Sequence, residues 1–234
     1  MKVAVITGAS KGLGYAMAEK FVRENYHLAI CARNKQEIKS AAAQLQEINP
    51  ESCILAEVCD LSSKEELEHF AHQVKETFES IDVLINNAGR FIQGRLVDEP
   101  EGQLEVLLST NLYSAYHLTR ALLPVMMKKK SGHIFNISSV AGLKPYTLGG
   151  SYSISKFALQ GFSENLRQEL IPFGIKVTTV NPGATMSDSW KGSGITEDRI
   201  MKSSDIAEII FASSQLSPQA CVEDIVLRPL LGDL

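Results

Sequence analysis

Short apolar segments alternate with longer amphipathic segments along the whole of this chain. The apolar segments are strand candidates at residues 2–7, 27–32, 53–57, 83–86, 133–137, 176–181 and 223–227. The amphipathic segments are helix candidates at residues 13–24, 35–47, 64–79, 111–129, 152–170 and 204–214. Such alternation is typical of a parallel sheet covered by helices on both faces. The sequence therefore predicts a doubly wound α/β fold with a seven-stranded parallel sheet, which binds ligands beyond the carboxyl ends of its strands.

The length and charge of the chain limit its organisation and its partners. Its 234 residues suffice for one domain, which we expect to span residues 1–234, with a substrate loop at about 183–203. The formal net charge of −4 argues against a nucleic-acid or anionic-membrane partner. The four cysteines form no C-x-x-C pair, so we expect no metal site. No apolar segment is long enough to cross a bilayer or to act as a signal peptide, which predicts a cytoplasmic protein.

A glycine-rich loop follows the first strand candidate directly. Residues 7–14 read Thr-Gly-Ala-Ser-Lys-Gly-Leu-Gly and lead into the first helix candidate. Glycines here allow a tight turn and bring backbone N–H groups close to a pyrophosphate at the positive end of the helix dipole. This predicts dinucleotide binding by a Rossmann fold, and a tight turn without a ligand is the alternative. The predicted cofactor contacts are Gly8, Ser10, Lys11, Gly12, Leu13 and Gly14.

The residues after the second strand candidate distinguish NAD from NADP. An NAD site has an acidic residue there for the ribose 2′-hydroxyl, whereas an NADP site has a basic residue for the 2′-phosphate. Residues 31–34 read Cys-Ala-Arg-Asn, and we expect Lys11 to lie beside the same phosphate. Two cations, Lys11 and Arg33, without a competing carboxylate favour NADP(H) over NAD(H). The alternative is that both are solvated surface charges.

Two further polar segments follow the third and fourth strand candidates, at the same edge of the predicted sheet. Asp60 and Leu61 follow the third, and the carboxylate of Asp60 is a candidate acceptor for the adenine amino group. Asn87, Ala88 and Gly89 follow the fourth. Each segment is a weak signal alone, because Asp at a strand end and Asn-Ala-Gly in a turn are common.

The candidate catalytic groups are Ser139, Tyr152, Lys156 and Asn111. Tyr152 and Lys156 are four residues apart, so they share one face of a helix. The pKa of a free tyrosine is about 10, and a nearby ammonium or an oxidised nicotinamide favours the phenolate. Ser139 follows the fifth strand candidate and can donate a hydrogen bond to a substrate carbonyl. We expect Asn111 to open a helix and to hold a water that links Lys156 to solvent. Tyr-x-x-x-Lys alone is common by chance, so its significance depends on its position relative to the glycine loop.

In the order and spacing of these motifs, the chain resembles the classical short-chain dehydrogenase/reductase family. The resemblance extends from Val3 to about Leu227 and includes Pro182-Gly183 and the spacing of thirteen between Ser139 and Tyr152. It implies an NAD(P)-dependent oxidoreductase that acts on a carbonyl or alcohol. It also implies a homodimer or homotetramer, assembled through the helices at residues 111–129 and 152–170.

The resemblance assigns a role to each candidate catalytic residue. It implies that Tyr152 is the general acid/base and that Ser139 stabilises the substrate carbonyl. Lys156 is implied to bind the ribose and to lower the pKa of the tyrosine, and Asn111 to complete a proton relay. The family usually places a threonine after Pro182-Gly183 to bind the nicotinamide carboxamide. Here that position holds Ser187, with Thr185 nearby, and either can make the contact.

The substrate is predicted from the residues that flank the catalytic candidates. Apolar and aromatic side chains are expected to line the pocket, and they suit a hydrophobic or planar ketone. They are Phe91, Ile92, Leu143, Tyr146, Leu148, Met186 and Trp190. We expect Trp190 to fold over the substrate and Asp188 to anchor a pterin-like amino group. The alternative is that Trp190 rests on the surface or on a partner subunit.

Two short stretches refine the resemblance. Residues 222–234 and the placement of Trp190, eight residues after Pro182, look like the bacterial sepiapterin-reductase-like branch of the family. The 3-oxoacyl-[acyl-carrier-protein] reductases share the same core motifs and are the alternative. A non-catalytic NADP(H)-binding sensor or scaffold is the alternative from another class. Such proteins commonly lose the tyrosine or the lysine, and this chain keeps both.

Overall fold

Seven parallel strands form the centre of the protein in this computed structural model, which describes residues 1–186 and 194–233. They are β1 (Lys2–Thr7), β2 (Tyr26–Ala32), β3 (Ile54–Val58), β4 (Val83–Asn86), β5 (Gly132–Ile137), β6 (Ile175–Pro182) and β7 (Asp224–Leu227). The strand order is β3-β2-β1-β4-β5-β6-β7, and the neighbouring strands pair in parallel. The order reverses between β1 and β4, which is the switch point where doubly wound sheets bind ligands. The predicted fold is confirmed.

Helices cover both faces of this sheet. They are α1 (Gly12–Arg23), α2 (Lys35–Ile48), α3 (Lys64–Thr77), α4 (Gln103–Leu108), α5 (Ser114–Lys129), α6 (Gly150–Leu170) and α7 (Ser203–Ser214). Side chains of β1 alternate between two apolar cores, because successive residues of a strand point to opposite faces. Ile6 packs in one core with residues of α1, α2 and α7, and Val5 packs in the other with residues of α3, α5 and α6. Phe21 and Phe70 are fully buried, one in each core, and each contributes about 1.5–3 kcal/mol by burial.

The helix predicted at residues 111–129 begins differently. α4 precedes it, and a π-helical turn at Ser109–Tyr113 connects α4 to α5, so that Asn111 lies buried within the turn and does not open a helix. Ser109 and Thr110, which precede the expected start, are residue types that often cap helices. The Thr110 hydroxyl instead donates to the Val106 carbonyl one turn back, as it does inside a helix. Such π turns are frequent at functional sites, because the extra residue redirects a side chain.

Two structural observations bear on the expected partners. Among residues 1–186 and 194–233, no helix combines the length and apolar character of a membrane span. Within the same ranges, no group of three or more His, Cys, Asp or Glu side chains is arranged to hold a metal ion.

Candidate active site

An open cavity of about 810 Å³ lies at the carboxyl edge of the sheet. Ser139, Tyr152 and Lys156 all line it, although they come from the end of β5 and from α6. The cavity wall also contains predicted cofactor residues, namely Leu13, Asn87, Gly89, Pro182, Gly183 and Thr185. The fold therefore brings the predicted catalytic and cofactor residues together in one place.

Tyr152 lies in the first turn of α6, and the side chain of Ser139 lies next to its phenol. Ser139 is held by the short turn that follows it, where its hydroxyl accepts the N–H of Ala141 at 3.1 Å. Burial raises the pKa of Tyr152 to about 12, although the nearby Ser139 side chain lowers it in part. The phenol is therefore protonated at neutral pH and can donate its proton. The expectation that Lys156 lowers the pKa of Tyr152 stays a prediction.

Lys156 lies one turn further along α6, and its amine is buried. Its Nζ donates to the carbonyl oxygen of Ile137 at 2.8 Å and lies 5.8 Å from the centroid of the Tyr152 ring. Burial lowers the pKa of this amine to about 8, so it still carries its charge at neutral pH. Gly89 and Lys156 both line the cavity, and a Cβ at Gly89 would be in ordinary van der Waals contact with this Nζ, at 3.5 Å.

Asn111 connects the loop after β4 to the catalytic helix. Its Oδ1 accepts the N–H of Arg90 at 2.7 Å, and its Nδ2 donates to the Arg90 carbonyl at 3.0 Å. The same Nδ2 donates to the hydroxyl of Ser155, the residue before Lys156, at 2.9 Å. The π turn thus places Asn111 where it fixes the surroundings of Lys156. Its expected contact with a relay water stays a prediction.

The glycine loop is fixed by the end of β4. The Thr7 hydroxyl accepts the N–H groups of Asn87 and Ala88, both at 2.9 Å, and Asn87 Nδ2 donates to the Thr7 carbonyl at 2.8 Å. Gly8 has a φ of +65°, and a Cβ there would lie 3.1 Å from the Ala88 Cα atom. A Cβ at Gly14 would come within 2.6 Å of Asn87 Nδ2. Glycine is therefore needed where the loop crosses the end of β4, as expected of a loop that lies against a pyrophosphate.

Next to this loop lies a carboxylate that the sequence reasoning missed. Glu37 Oε1 is 3.1 Å from Lys11 Nζ, and Glu37 Oε2 accepts the Ser10 hydroxyl at 3.3 Å. The prediction that no carboxylate competes for the two cations is therefore wrong. Asn34 caps α2 by accepting the N–H of Glu37, which puts Glu37 in the first turn. The sequence contained a signal for this contact. An acidic residue three positions after a helix cap lies in the first turn, where side chains tilt toward the helix N-terminus.

Asp60 and Arg33 lie further along the same edge. Hydrogen bonds from Ser62 lower the pKa of the Asp60 carboxyl, and the Arg33 guanidinium lowers it further. Those bonds come from the Ser62 hydroxyl at 2.7 Å and the Ser62 N–H at 3.0 Å. Arg33 is exposed, and Leu61 is buried beside Asp60. The contacts of Asp60 with an adenine and of Arg33 with a phosphate stay predictions.

The other end of the cavity is formed by the segment after β6. The Thr185 hydroxyl donates to the Gly183 carbonyl at 3.0 Å, and the Gly183 N–H donates to the Leu227 carbonyl at 2.8 Å. These bonds hold Pro182-Gly183 at the mouth of the cavity. Ser187, Asp188 and Trp190 lie outside the described residues, so Thr185 and Ser187 both remain candidates for the nicotinamide contact.

The predicted substrate residues separate into two groups. Phe91, Tyr146 and Met186 line the cavity, and the Phe91 ring meets the Tyr152 ring edge-on at 4.9 Å. Contrary to expectation, Leu143 and Leu148 are exposed and do not belong to the described wall. Leu143 follows the short turn after Ser139, and Leu148 lies in the turn before α6. Ile92, which was also predicted, is likewise outside the described wall.

Several polar residues in the wall were not predicted. They are Arg90, Gln93, Lys144, Arg228 and Asp233. Arg228 follows β7 and is ion-paired with Asp233. These side chains come from loops and from the C-terminal segment, which carry no motif that would have placed them at the cavity. The wall is therefore more polar than the sequence predicted.

The doubly wound sheet, the glycine loop at its switch point and the buried Tyr152–Lys156 pair together define an oxidoreductase of the dinucleotide-binding class. A family model described as short chain dehydrogenase matches residues 2–198, and the chain belongs to this family. An oxidoreductase of Staphylococcus epidermidis is 30% identical over 230 residues, which cover 98% of this chain and 97% of that protein.

Solved structures of short-chain oxidoreductases and dehydrogenases are also similar to this chain. An alcohol dehydrogenase from the archaeon Thermococcus sibiricus, complexed with 5-hydroxy-NADP, has a TM-score of 0.91 at 28% identity and covers 100% of this chain and 99% of its own. A metagenomic short-chain oxidoreductase in complex with NADP has a TM-score of 0.84 at 30% identity, with coverage of 97% and 96%.

Proposed function

We propose that the protein is an NADP(H)-dependent carbonyl reductase that interconverts a hydrophobic or aromatic ketone and its secondary alcohol. The observation that carries this proposal is the arrangement of Tyr152, Ser139 and the buried amine of Lys156 around one cavity. Burial raises the pKa of the Tyr152 phenol, which favours its protonated form. A proton donor, a second hydrogen-bond donor and a cation are the groups that carbonyl reduction requires from the protein.

The residues present fit a dinucleotide. The glycines of the loop leave space that a Cβ at Gly8 or Gly14 would fill, and the positive end of α1 faces the same edge. We propose that this loop binds the pyrophosphate, that Lys156 binds the nicotinamide ribose and that Thr185 or Ser187 binds the carboxamide. When bound, NADPH supplies the hydride.

The side chains of the protein bind the substrate carbonyl and transfer the proton. The substrate carbonyl oxygen accepts hydrogen bonds from the Ser139 hydroxyl and the Tyr152 phenol. As negative charge develops on this oxygen, Tyr152 transfers its proton to it and Ser139 stabilises it. The Lys156 ammonium then stabilises the resulting phenolate until Tyr152 is reprotonated, with Asn111 holding the relay water.

Lys11 and Arg33 support the preference for NADP(H), and structural neighbours of this chain are NADP complexes. The cavity wall at Phe91, Tyr146 and Met186 supports a hydrophobic or aromatic substrate.

We also propose that the protein forms a homodimer or homotetramer through α5 and α6. Three aromatic or aliphatic side chains in or next to these helices are exposed: Tyr113 at 49%, Ile154 at 40% and Phe157 at 43%. Apolar side chains on adjacent helical surfaces are characteristic of subunit interfaces.

A ketone panel tests the proposed function. It contains aromatic ketones, diketones, a pterin with a side-chain ketone, 3-oxoacyl thioesters and sugars, each assayed with NADPH and with NADH. We expect NADPH oxidation with aromatic ketones or diketones and little with sugars. Preference for the 3-oxoacyl thioesters would replace the proposed substrate class. Tight NADPH binding without oxidation by any carbonyl would identify a non-catalytic nucleotide-binding protein.

A further inference from the structure

Two residues of the glycine loop are engaged by one carboxylate. Glu37 Oε1 lies 3.1 Å from Lys11 Nζ, and Glu37 Oε2 accepts the Ser10 hydroxyl at 3.3 Å. Both side chains of the ion pair are accessible to water, with Lys11 at 55% and Glu37 at 38% exposure. The carboxylate therefore lies at the mouth of the loop, where a nucleotide approaches from solvent.

The backbone around Glu37 fixes its position. The side chain of Asn34 accepts the N–H groups of Gln36 and Glu37 at 2.9 and 3.1 Å and so caps α2. Residues in the first turn of a helix point back toward its N-terminus. Because α2 begins three residues after the end of β2, this direction leads toward the carboxyl edge of the sheet. Glu37 is therefore directed at the glycine loop by the way the helix starts.

Charges of both signs lie together at this edge. Lys11 and Arg33 are the cations of the proposed 2′-phosphate site, and Glu37 and Asp60 are the anions beside them. A 2′-phosphate is close to a dianion at neutral pH, so a carboxylate held on the same cation repels it. A ribose 2′-hydroxyl carries no charge and meets no such repulsion. A carboxylate is also the group that accepts a ribose hydroxyl in NAD sites.

We propose that Glu37 is a specificity-determining residue that limits the preference of this protein for the 2′-phosphate. The proposal rests on the proposed dinucleotide site. Glu37 holds Lys11 and Ser10 until a 2′-phosphate displaces it, and it thereby weakens NADP(H) relative to NAD(H). The affinities of the protein for NADP(H) and NAD(H) are therefore closer to each other than Lys11 and Arg33 alone would make them.

The test compares two nucleotides that differ only in the 2′-phosphate. The dissociation constants of 2′,5′-ADP and 5′-AMP are measured by calorimetry with the wild-type protein and with Glu37→Gln. Glutamine keeps the shape of the side chain and removes its charge. We expect Glu37→Gln to bind 2′,5′-ADP roughly three- to tenfold more tightly at low salt, with 5′-AMP unchanged within about twofold. This gain in affinity for 2′,5′-ADP should shrink as the salt concentration is raised, because the Lys11 and Glu37 side chains are exposed.

Glu47→Gln is the matched control, because it removes the same charge from the same helix about 15 Å away. It should leave both dissociation constants unchanged. An unchanged or weaker affinity of Glu37→Gln for 2′,5′-ADP, with nucleotide binding retained, would overturn the role of Glu37 alone. Failure of the wild-type protein to bind either nucleotide would instead overturn the proposed cofactor site, and this inference with it.

Discussion

The side chain of Ser139 lies next to the phenol of Tyr152 and lowers its pKa in part, although the two residues belong to different elements of the fold. Ser139 lies just beyond β5, and Tyr152 lies in the first turn of α6. The two hydroxyl groups therefore meet at one point on the cavity wall. A carbonyl oxygen placed at this point would receive two hydrogen bonds from one side, which is the arrangement that stabilises a developing alkoxide.

Ser139→Ala should lower kcat by roughly 10²- to 10³-fold, because one of the two donors to the carbonyl oxygen is lost. The dissociation constant of NADPH should change by less than about threefold, since the proposed cofactor contacts lie elsewhere. Steady-state kinetics and cofactor titration measure both effects. Ser139→Thr keeps the hydroxyl and is the matched control. Equal activity of the alanine and threonine variants would refute the proposed role of this hydroxyl.

The buried amine of Lys156 predicts a specific pH dependence of stability. Burial lowers its pKa from 10.5 to about 8 in the folded protein. Between these two values the unfolded chain binds more protons, so the contribution of Lys156 to the free energy of unfolding rises with pH. The pKa of Tyr152 is raised, so its own contribution is complete below about pH 10 and is lost only above it. The two effects therefore fall in different pH ranges.

Urea unfolding of the wild-type protein and of Lys156→Met at pH 7.5 and 9.5 isolates this effect, because methionine keeps the length of the side chain and does not titrate. We expect the stability difference to shift in favour of the wild type by on the order of 1–2 kcal/mol at the higher pH. A difference that is independent of pH would show that the amine is not buried as the structure indicates.

Two glycines in helices should respond in opposite ways to alanine. A Cβ at Gly14 would approach Asn87 Nδ2 to 2.6 Å and lie even closer to the Gly8 carbonyl, whereas a Cβ at Gly161 would meet nothing within 4 Å. Gly14→Ala should therefore displace the glycine loop and weaken NADPH binding at least tenfold. Gly161→Ala should leave binding unchanged and stabilise α6 by about 0.5–1 kcal/mol. Calorimetric titration and urea unfolding measure both variants, and equal NADPH affinity in the two would contradict the close packing at Gly14.

The sheet could be predicted almost completely from the sequence, because its five central strands are largely buried and are therefore short, mainly apolar segments. The strand at Lys2–Thr7 has the predicted bounds, and the strand at Tyr26–Ala32 begins one residue before the predicted start. The motifs also indicated which side chains meet at the cavity, because the carboxyl ends of parallel strands share one edge.

The features that were missed depend on contacts between distant segments. The π turn around Asn111 has no local signal, since Ser109 and Thr110 are equally suited to a helix cap. Glu37 reaches the glycine loop from another element, and its 26-residue separation from Lys11 hides the ion pair. Arg228 and Asp233 reach the cavity from beyond the last strand. Hydrophobic periodicity predicts elements, but it does not reveal which polar side chains meet across them.

In the proposed reaction, the phenol of Tyr152 is the proton donor to the substrate. Phenylalanine removes only this hydroxyl and retains the ring that packs edge-on against Phe91. The most direct measurement is the turnover of Tyr152→Phe with NADPH and the best ketone of the panel, together with its NADPH dissociation constant. We expect a loss of kcat of at least about 10³-fold, with NADPH affinity within about threefold of the wild type. Turnover within tenfold of the wild type would contradict this role of Tyr152.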